Sequence, residues 1–445
     1  MNATGSGLRD IHTGSKNTNI QKAKNYIVLH DRGVPSTHSA IDKDTHAAKR
    51  KVMSHGFSEQ ALRGLEGFMV ENISKWTNTL MEGASDESKG WSSPKDMATY
   101  ANYLTFDVLG DLCFGKSLNL IESDKLRSIP KVMLARAIVF STVGSTPLIP
   151  LYKFIVEKTP FEKYLMPEMS ANMTKLVGFA APALKERLMH KADVEKNGGT
   201  ERKDFIYYLS EAKDPETGEG YSQIEFLAEC RLLIAAGSDT SSLTLAAAFF
   251  YLTQNPEIAA KLSKELRDTF KSVEEIVTGP ALNSCQYLRA TIDETLRISP
   301  PVPSSLPREV TGSGMLISGE YVPTGTTVGT SAYAIHHSPD YFSNPHLFKP
   351  ERWLPERTNK DELARAKSAF CPFSIGTRGC LGNTMAYNEL SLALGRVFWS
   401  FDVRRQAGNN MGQDKFGEYG MRDIFITERD GPMVEFRRRA DASVP

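Results

Sequence analysis

One short glycine-rich segment constrains this sequence more than any other feature, because it places a cysteine in a fixed pattern. The pattern Phe-x-x-Gly-x-Arg-x-Cys-x-Gly is filled by Phe373, Gly376, Arg378, Cys380 and Gly382. Five fixed residues would occur together by chance at on the order of one starting position in a few million. A helical pattern follows, so the helix dipole and free N–H groups would favour a thiolate here. The segment predicts a sulfur ligand for a metal in a flat cofactor, with a free cysteine in a glycine-rich loop as the simpler alternative.

The segment resembles the haem-binding loop of the cytochrome P-450 family, in which a cysteine thiolate is the axial ligand of the haem iron. The resemblance implies that Cys380 ligates the iron of haem b (iron-protoporphyrin IX). It also implies that Phe373, Gly376, Arg378 and Gly382 surround this cofactor. If Cys380 is not the ligand, Cys371 is the next candidate.

A long helix is predicted to begin at a capping box formed by Ser222 and Glu225. It would run for roughly 33 residues, or about 50 Å. Residues 236–241 in its middle are poor helix formers, and the Thr240 hydroxyl can compete for the carbonyl of Ala236. The resemblance implies that Asp239 and Thr240 are the catalytic acid–alcohol pair that delivers protons during dioxygen activation. The alternative is a helix contact that needs small residues.

Further basic residues have a predicted role in cofactor binding. His46 and Arg50 are four residues apart and would share one helix face. The resemblance implies that both hold a haem propionate and that Arg308 meets a propionate as well. The alternative for His46 and Arg50 is a solvated basic helix.

A second group of charged residues is predicted to support the scaffold. Glu294 and Arg297 are three residues apart on a predicted helix, and Arg352 lies in a downstream Pro-Glu-Arg-Trp segment. The resemblance implies that the three form a buried cluster that positions the haem loop. Burying such charges costs desolvation unless every donor is satisfied, so the loss of one member should be severe.

The composition excludes several other classes of protein. The chain has 445 residues without an obvious linker, and Lys plus Arg equals Asp plus Glu at 53 each. A balanced charge gives no support to nucleic-acid binding. The five cysteines include no C-x-x-C pair, which argues against a cysteine-based zinc site or a thioredoxin-type site.

The resemblance implies a mainly α-helical fold with small β-sheets, in one haem-thiolate domain over residues 1–445. We expect residues 1–45 to be an incomplete N-terminal part that lacks the family's membrane anchor and first strands. The segment between residues 147 and 167 is broken by prolines, and residues 424–436 predict a hairpin. Helical patterns are predicted over residues 59–83, 97–113, 128–145, 170–192, 256–270 and 286–298.

The predicted function is a haem-thiolate monooxygenase that inserts one oxygen atom of O2 into an apolar small molecule, in fungal secondary metabolism. The resemblance implies a NADPH-dependent flavoprotein reductase as partner, and Lys49 and Lys51 would present a basic face to it. Family members are usually at the endoplasmic reticulum membrane. Because residues 1–9 contain no apolar run, we expect no anchor or signal peptide and a cytoplasmic-side or peripheral location.

Two alternatives to this function remain open. One is a haem-thiolate isomerase or dehydratase that performs no net oxygenation, and the acid–alcohol pair argues against it. The other is a truncated remnant that is non-catalytic or binds haem poorly, and the intact motifs argue against that.

Overall fold

A computed structural model of the chain describes residues 5–13, 18–30, 33–144, 146, 148–158, 164, 166–214 and 216–439. These ranges are mainly α-helical, with short strands, as the sequence predicted. The α-helices are α1 (Gly5–His12), α2 (Lys43–Ser54), α3 (Glu59–Leu80), α4 (Met97–Phe114), α5 (Pro130–Val143), α6 (Ile149–Lys158), α7 (Pro167–Asn197), α8 (Phe205–Glu211), α9 (Gln223–Gln254), α10 (Pro256–Thr269), α11 (Pro280–Ser284), α12 (Gln286–Ile298), α13 (Ala332–His336), α14 (Lys360–Ala369) and α15 (Asn383–Ser400).

The strands of the described ranges pair in small antiparallel sheets, in the orders β1-β3-β6, β2-β10-β7, β4-β5 and β8-β9. Their bounds are β1 (Ile20–Lys22), β2 (Lys95–Asp96), β3 (Arg308–Val310), β4 (Met315–Ile317), β5 (Glu320–Val322), β6 (Thr327–Val328), β7 (Phe401–Arg405), β8 (Arg422–Ile424), β9 (Ile426–Glu428) and β10 (Met433–Arg438).

The long helix α9 crosses the core, and it begins as the sequence predicted. The Ser222 hydroxyl accepts a hydrogen bond from the N–H of Glu225, and the Glu225 carboxylate accepts one from the N–H of Ser222. The helix has 32 residues, and Pro256 at the first position of α10 follows it. Among the described helices, α9 alone is long and apolar enough to cross a membrane, but 67% of its most apolar window is buried inside the protein.

Helix α4 packs along α9 at close range. A Cβ atom added to Gly237 on α9 would lie 3.2 Å from the side chain of Leu109 on α4. Such a separation is tighter than ordinary van der Waals contact, so the absent side chain lets the two helices approach. This contact fixes the middle of α9, which carries Asp239 and Thr240.

The N-terminal part contributes a strand, although the sequence predicted that the first strands are lacking. Strand β1 pairs with β3, and Lys22 lies opposite Arg308 in the register. The predicted C-terminal hairpin over residues 424–436 is wrong, because β9 pairs with β8 whereas β10 pairs with β2 and β7. Proximity in the sequence does not determine which edge a short strand joins.

Helices α6 and α14 are not among the helical patterns predicted from the sequence. Helix α6 begins at Ile149 within the proline-broken segment, with its one proline near the start, where a proline is tolerated. Helix α14 lies on the approach to the cysteine loop. The Asn359 side chain caps it by accepting a hydrogen bond from the N–H of Asp361 at 2.8 Å.

Candidate active site

The core contains a cavity of about 450 Å³ between α9 and the cysteine loop. Its size falls within the range of roughly 300–1,000 Å³ that is usual for small-molecule sites. Cys380, Asp239 and Thr240 all line it. Apolar side chains from several helices and loops complete the wall, among them Leu109, Met133, Phe140, Leu176, Phe205, Leu233, Val302, Leu306 and Phe425. The structure therefore combines a sulfur, an acid–alcohol pair and an apolar wall in one space.

Cys380 is held by backbone contacts at the end of its loop. Its N–H donates to the carbonyl of Phe373 at 2.8 Å, and Arg50 donates to the carbonyl of the adjacent Gly379 at 2.8 Å. Gly382 immediately precedes α15. Cys380 is open to the cavity even though it lies deep within the protein. This geometry presents one sulfur to a group inside the cavity.

The electrostatics of Cys380 differ from the sequence prediction of a thiolate stabilised by the helix. Burial raises the pKa of the Cys380 thiol, and the N–H of Gly382 and the charge of Arg50 only partly oppose that increase. Burial disfavours an isolated thiolate here. A bound metal ion deprotonates a coordinating thiol outright, so the site fits a cysteine that becomes a thiolate on ligation.

The acid–alcohol pair lies on the cavity wall formed by α9. The Thr240 hydroxyl donates to the carbonyl of Ala236 at 2.7 Å, as the sequence predicted. Asp239 is buried, and its burial raises the pKa of the carboxyl to about 7. A carboxyl with that pKa both holds and releases a proton near neutral pH, which is the property required of a proton relay.

A cluster of basic side chains lies at another part of the cavity. Lys22, His46 and Arg378 line the cavity, and Arg308 is near them. Burial lowers the pKa of each of the three lining residues, to about 3 for His46 and about 10 for Arg378, and neighbouring positive charges lower it further. A pKa of about 3 leaves His46 neutral near pH 7, so it would donate a hydrogen bond, whereas the buried guanidinium group of Arg378 requires an anionic partner. Two carboxylates of the kind that haem carries fit this requirement.

The two guanidinium groups of this cluster are oriented by backbone carbonyls. Arg308 donates to the carbonyl of Pro307 at 3.1 Å. Arg378 donates to the carbonyls of Ala40 and Ile41, the latter at 2.9 Å. The structure thus brings His46, Arg308 and Arg378 together, while Arg50 bonds to the cysteine loop.

The remaining residues of the cysteine pattern have different positions. Phe373 and Gly382 line the cavity, and the Phe373 ring lies 5.2 Å from that of Tyr387 on α15. Gly376 has a φ of 76°, and a Cβ atom there would collide with the carbonyl oxygen of His12. Gly376 is needed because the end of α1 packs directly against the cysteine loop.

The scaffold cluster is formed by the three residues that the sequence singled out. Arg297 makes two hydrogen bonds of 2.9 Å to the carboxylate of Glu294, and Arg352 donates to the same carboxylate at 3.0 Å. The Trp353 indole N–H adds a bond of 3.0 Å. Both Glu294 and Arg297 are fully buried. The cluster joins α12 to the segment that leads towards the cysteine loop, and it lies outside the cavity lining.

The prediction that Lys49 forms part of an exposed basic face is wrong. Lys49 is buried and makes ion pairs with Glu225 at 2.6 Å and Glu229 at 3.7 Å on α9. Lys49 and Lys51 are two residues apart on α2 and therefore lie on different faces, and the face that carries Lys49 packs against the start of α9. Lys51 is partly exposed and pairs with Glu216 at 2.6 Å.

Sequence reasoning missed Lys22 and Glu389. The sequence holds no signal for Lys22, because pairing between β1 and β3 brings it to the cavity. Glu389 lies nine residues after Cys380 on α15, is almost completely buried and lines the cavity. Its burial raises the pKa of the carboxyl to about 7, and a hydrogen bond from Ser241 partly opposes this. A lone carboxylate on the apolar face of a predicted helix indicates a buried acid, and the sequence contains that signal.

Comparison with known proteins agrees with the fold. The family model for cytochrome P-450 matches residues 16–421. A cytochrome P-450 monooxygenase of Penicillium oxalicum, poxM, is 34% identical over 94% of this chain and 78% of that protein. One from Gibberella zeae is 34% identical over 97% of this chain and 98% of that protein. A crystal structure of a cytochrome P-450 haem domain superposes with a TM-score of 0.75 at 18% identity, covering 99% of this chain and 87% of that one.

The fold and the cavity therefore define a haem-thiolate type of protein. The chain belongs to the cytochrome P-450 family, and it is an oxidoreductase of the monooxygenase class. This family binds haem through a cysteine thiolate and generally takes electrons from a redox partner. The residues described above fit such a cofactor, with Cys380 as the sulfur ligand and the basic cluster for its carboxylates.

Proposed function

We propose that this chain inserts one oxygen atom of O2 into an unactivated C–H bond of an apolar small molecule in fungal secondary metabolism. The observation that carries the proposal is that Cys380, Asp239 and Thr240 line one cavity. The largely hydrocarbon wall, with Phe140 and Leu233 among its members, favours an apolar substrate. Similarity to fungal monooxygenases such as poxM supports the metabolic context.

In this proposal, haem b held by Cys380 supplies the redox chemistry of oxygen activation. The chain itself performs binding, orientation and proton management. His46, Arg308 and Arg378 hold the carboxylates of the cofactor. Asp239 holds a proton at its carboxyl near neutral pH, and the Thr240 hydroxyl lies next to it on the cavity wall. The surrounding apolar side chains exclude bulk water from this proton path.

Electrons come from a NADPH-dependent flavoprotein reductase in this proposal, and the protein associates peripherally with the cytoplasmic side of the endoplasmic reticulum membrane. Lys49 takes no part in docking because it is buried against α9. The partly exposed Lys51 lies at the surface of α2, where it pairs with Glu216. Its contribution would weaken with salt, as expected for an exposed charge.

The test follows the origin of the inserted oxygen atom. Apolar small molecules that shift the Soret band of the purified haem protein would be incubated with a reductase, NADPH and isotopically labelled dioxygen. We expect a product that carries one labelled oxygen atom. A product with the same composition as the substrate, or one that has lost water, would contradict the proposal and favour an isomerase or dehydratase. Haem-loaded protein that gives no product with any shifting ligand would favour a non-catalytic remnant.

A further inference from the structure

Three potential metal ligands meet near the surface, away from the cavity. They are His337 just after α13, His346 in the loop that follows, and Glu418 in the segment between β7 and β8. Their ligand atoms all lie within 4.8 Å of one another. The His346 Nδ1 atom is 2.6 Å from the Glu418 carboxylate, and the side chains of His346 and Glu418 are 64% and 18% exposed. A hydrogen bond explains that contact, but it leaves His337 unexplained.

His337 is oriented as a metal ligand would be. Its Nδ1–H donates to the carbonyl of Tyr333 at 2.9 Å, and its ring stacks on the Tyr333 ring at 3.9 Å. This bond assigns the proton to Nδ1 and leaves Nε2 with a free lone pair. The Nε2 atom is shielded from solvent and has no hydrogen-bond partner among the described residues. A carbonyl behind one ring nitrogen is the usual support for a histidine whose other nitrogen binds a metal.

The backbone that carries the two histidines is fixed by a single guanidinium group. Arg297 donates to the carbonyl of His336 at 2.9 Å and to that of Pro345 at 2.7 Å. These residues immediately precede His337 and His346. Because Arg297 is itself bonded to Glu294, its charge is already compensated. The two histidines therefore project from a rigid and electrically balanced support.

The third side chain is positioned by a local turn. The N–H of Glu418 donates to the Asp414 carboxylate at 2.9 Å, and the N–H of Asp414 donates to the carbonyl of Glu418 at 2.9 Å. Asp414 is therefore engaged by the backbone, whereas the Glu418 carboxylate points towards His346. Two imidazoles and one carboxylate match a common ligand set for zinc, with a fourth position open to water.

We propose that His337, His346 and Glu418 bind one divalent transition-metal ion, Zn²⁺ in the first instance. Two nitrogens and one oxygen at about 2.0–2.2 Å from the metal require only small movements of groups that already lie this close. The metal would join the loop after α13 to the segment before β8. Because Arg297 holds the loop after α13, the metal would also connect the segment before β8 to the buried cluster around Glu294. The site lies outside the cavity, so the ion would take no part in the reaction there.

The test measures metal binding by the haem-loaded protein. After dialysis against a chelator, the protein is equilibrated with Zn²⁺ and its zinc content is determined by mass spectrometry. We expect one bound zinc per chain. His346→Ala and Glu418→Gln, which change exposed or half-exposed groups, should weaken binding by about 100-fold or more. His190→Ala, at an exposed histidine on α7, should bind as the wild type does.

Thermal unfolding supplies a second readout that does not depend on counting ions. A metal that binds only the folded state raises the midpoint, and the rise grows with the logarithm of the free metal concentration above the Kd. We expect Zn²⁺ to raise the midpoint of the wild type and of His190→Ala, and to leave those of His346→Ala and Glu418→Gln unchanged. Failure of the wild type to bind zinc, or equal binding by all variants, would overturn the proposal.

Discussion

Two buried carboxyl groups, Asp239 and Glu389, line the same cavity, and each has a pKa of about 7. A contact between the two groups is not required for these raised values. Burial alone raises the pKa of Asp239, and burial dominates for Glu389. Each is therefore able to change its protonation state near neutral pH. Asp239 is adjacent to Thr240, and Glu389 is bonded to Ser241, so both reach the same turn of α9.

Replacing Thr240 by alanine should separate electron consumption from product formation. The change removes the hydroxyl next to Asp239 but preserves the apolar wall, so oxygen would be reduced without productive proton delivery. We expect NADPH oxidation to continue while the yield of product per NADPH falls about tenfold or more. The measurement is the ratio of product and hydrogen peroxide to NADPH consumed.

Thr253→Ala is the matched control, because Thr253 on the same helix makes the same bond, to the carbonyl of Phe249 at 2.7 Å. It should leave the ratio unchanged. If Thr240→Ala remains fully coupled, Thr240 has no part in proton delivery.

Glu389→Gln should change how stability depends on pH. The native pKa of about 7 exceeds the ordinary value of 4.5, so the native state binds more protons between those values and Glu389 makes stability fall as pH rises through this window. Glutamine does not titrate in this range, so the variant lacks this fall in stability with rising pH. We expect the variant to be more stable than the wild type at pH 8 by on the order of 2 kcal/mol, and to lose this advantage towards pH 4.5.

The measurement is the urea midpoint of the haem-loaded protein across this pH range. Glu59→Gln, at an exposed glutamate, should change stability by less than about 0.5 kcal/mol throughout. A difference between Glu389→Gln and wild type that does not vary with pH would contradict the assignment.

At the scale of elements, the sequence predicted helices with strong caps well and short strands poorly. The capping box at Ser222 located the start of α9, and the apolar periodicity located α3, α4 and α12 within a few residues. These signals are local. The strands have two to six residues each, so their pairing depends on distant partners. That is why β1 and the partner of β9 could not be predicted.

The cluster that joins α12 to the 3₁₀ turn at Pro350–Trp353 should be sensitive to loss of its one carboxylate. Glu294→Gln would leave Arg297 and Arg352 buried without an anion. We expect a loss of stability of about 3–5 kcal/mol, seen as a lower urea midpoint and a smaller yield of haem-loaded protein.

The control is Asp268→Asn, which breaks an exposed ion pair with Lys264 on α10 and should cost less than about 1 kcal/mol. Equal effects of the two substitutions would show that the Glu294 cluster is not a central support.

At the scale of the whole molecule, the N-terminal part is built into the site. The end of α1 packs against Gly376, the N–H of Gly5 donates to the hydroxyl of Tyr341 at 2.6 Å, and β1 brings Lys22 to the cavity. The sequence singled out the cysteine, the acid–alcohol pair and three of the basic residues that line the cavity, because motifs carry them. It could not locate Lys22 or the burial of Lys49, because both depend on packing between distant segments.

The central claim is that Cys380 is the haem ligand in this cavity, and a carbon monoxide difference spectrum of the reduced protein tests it most directly. We predict the long-wavelength Soret band that is typical of thiolate ligation, lost in Cys380→Ser and retained in Cys371→Ser. Cys371 is a matched control, since it also lines the cavity and burial raises the pKa of its thiol to about 12. A thiolate band that persists in Cys380→Ser, or disappears in Cys371→Ser alone, would contradict the account.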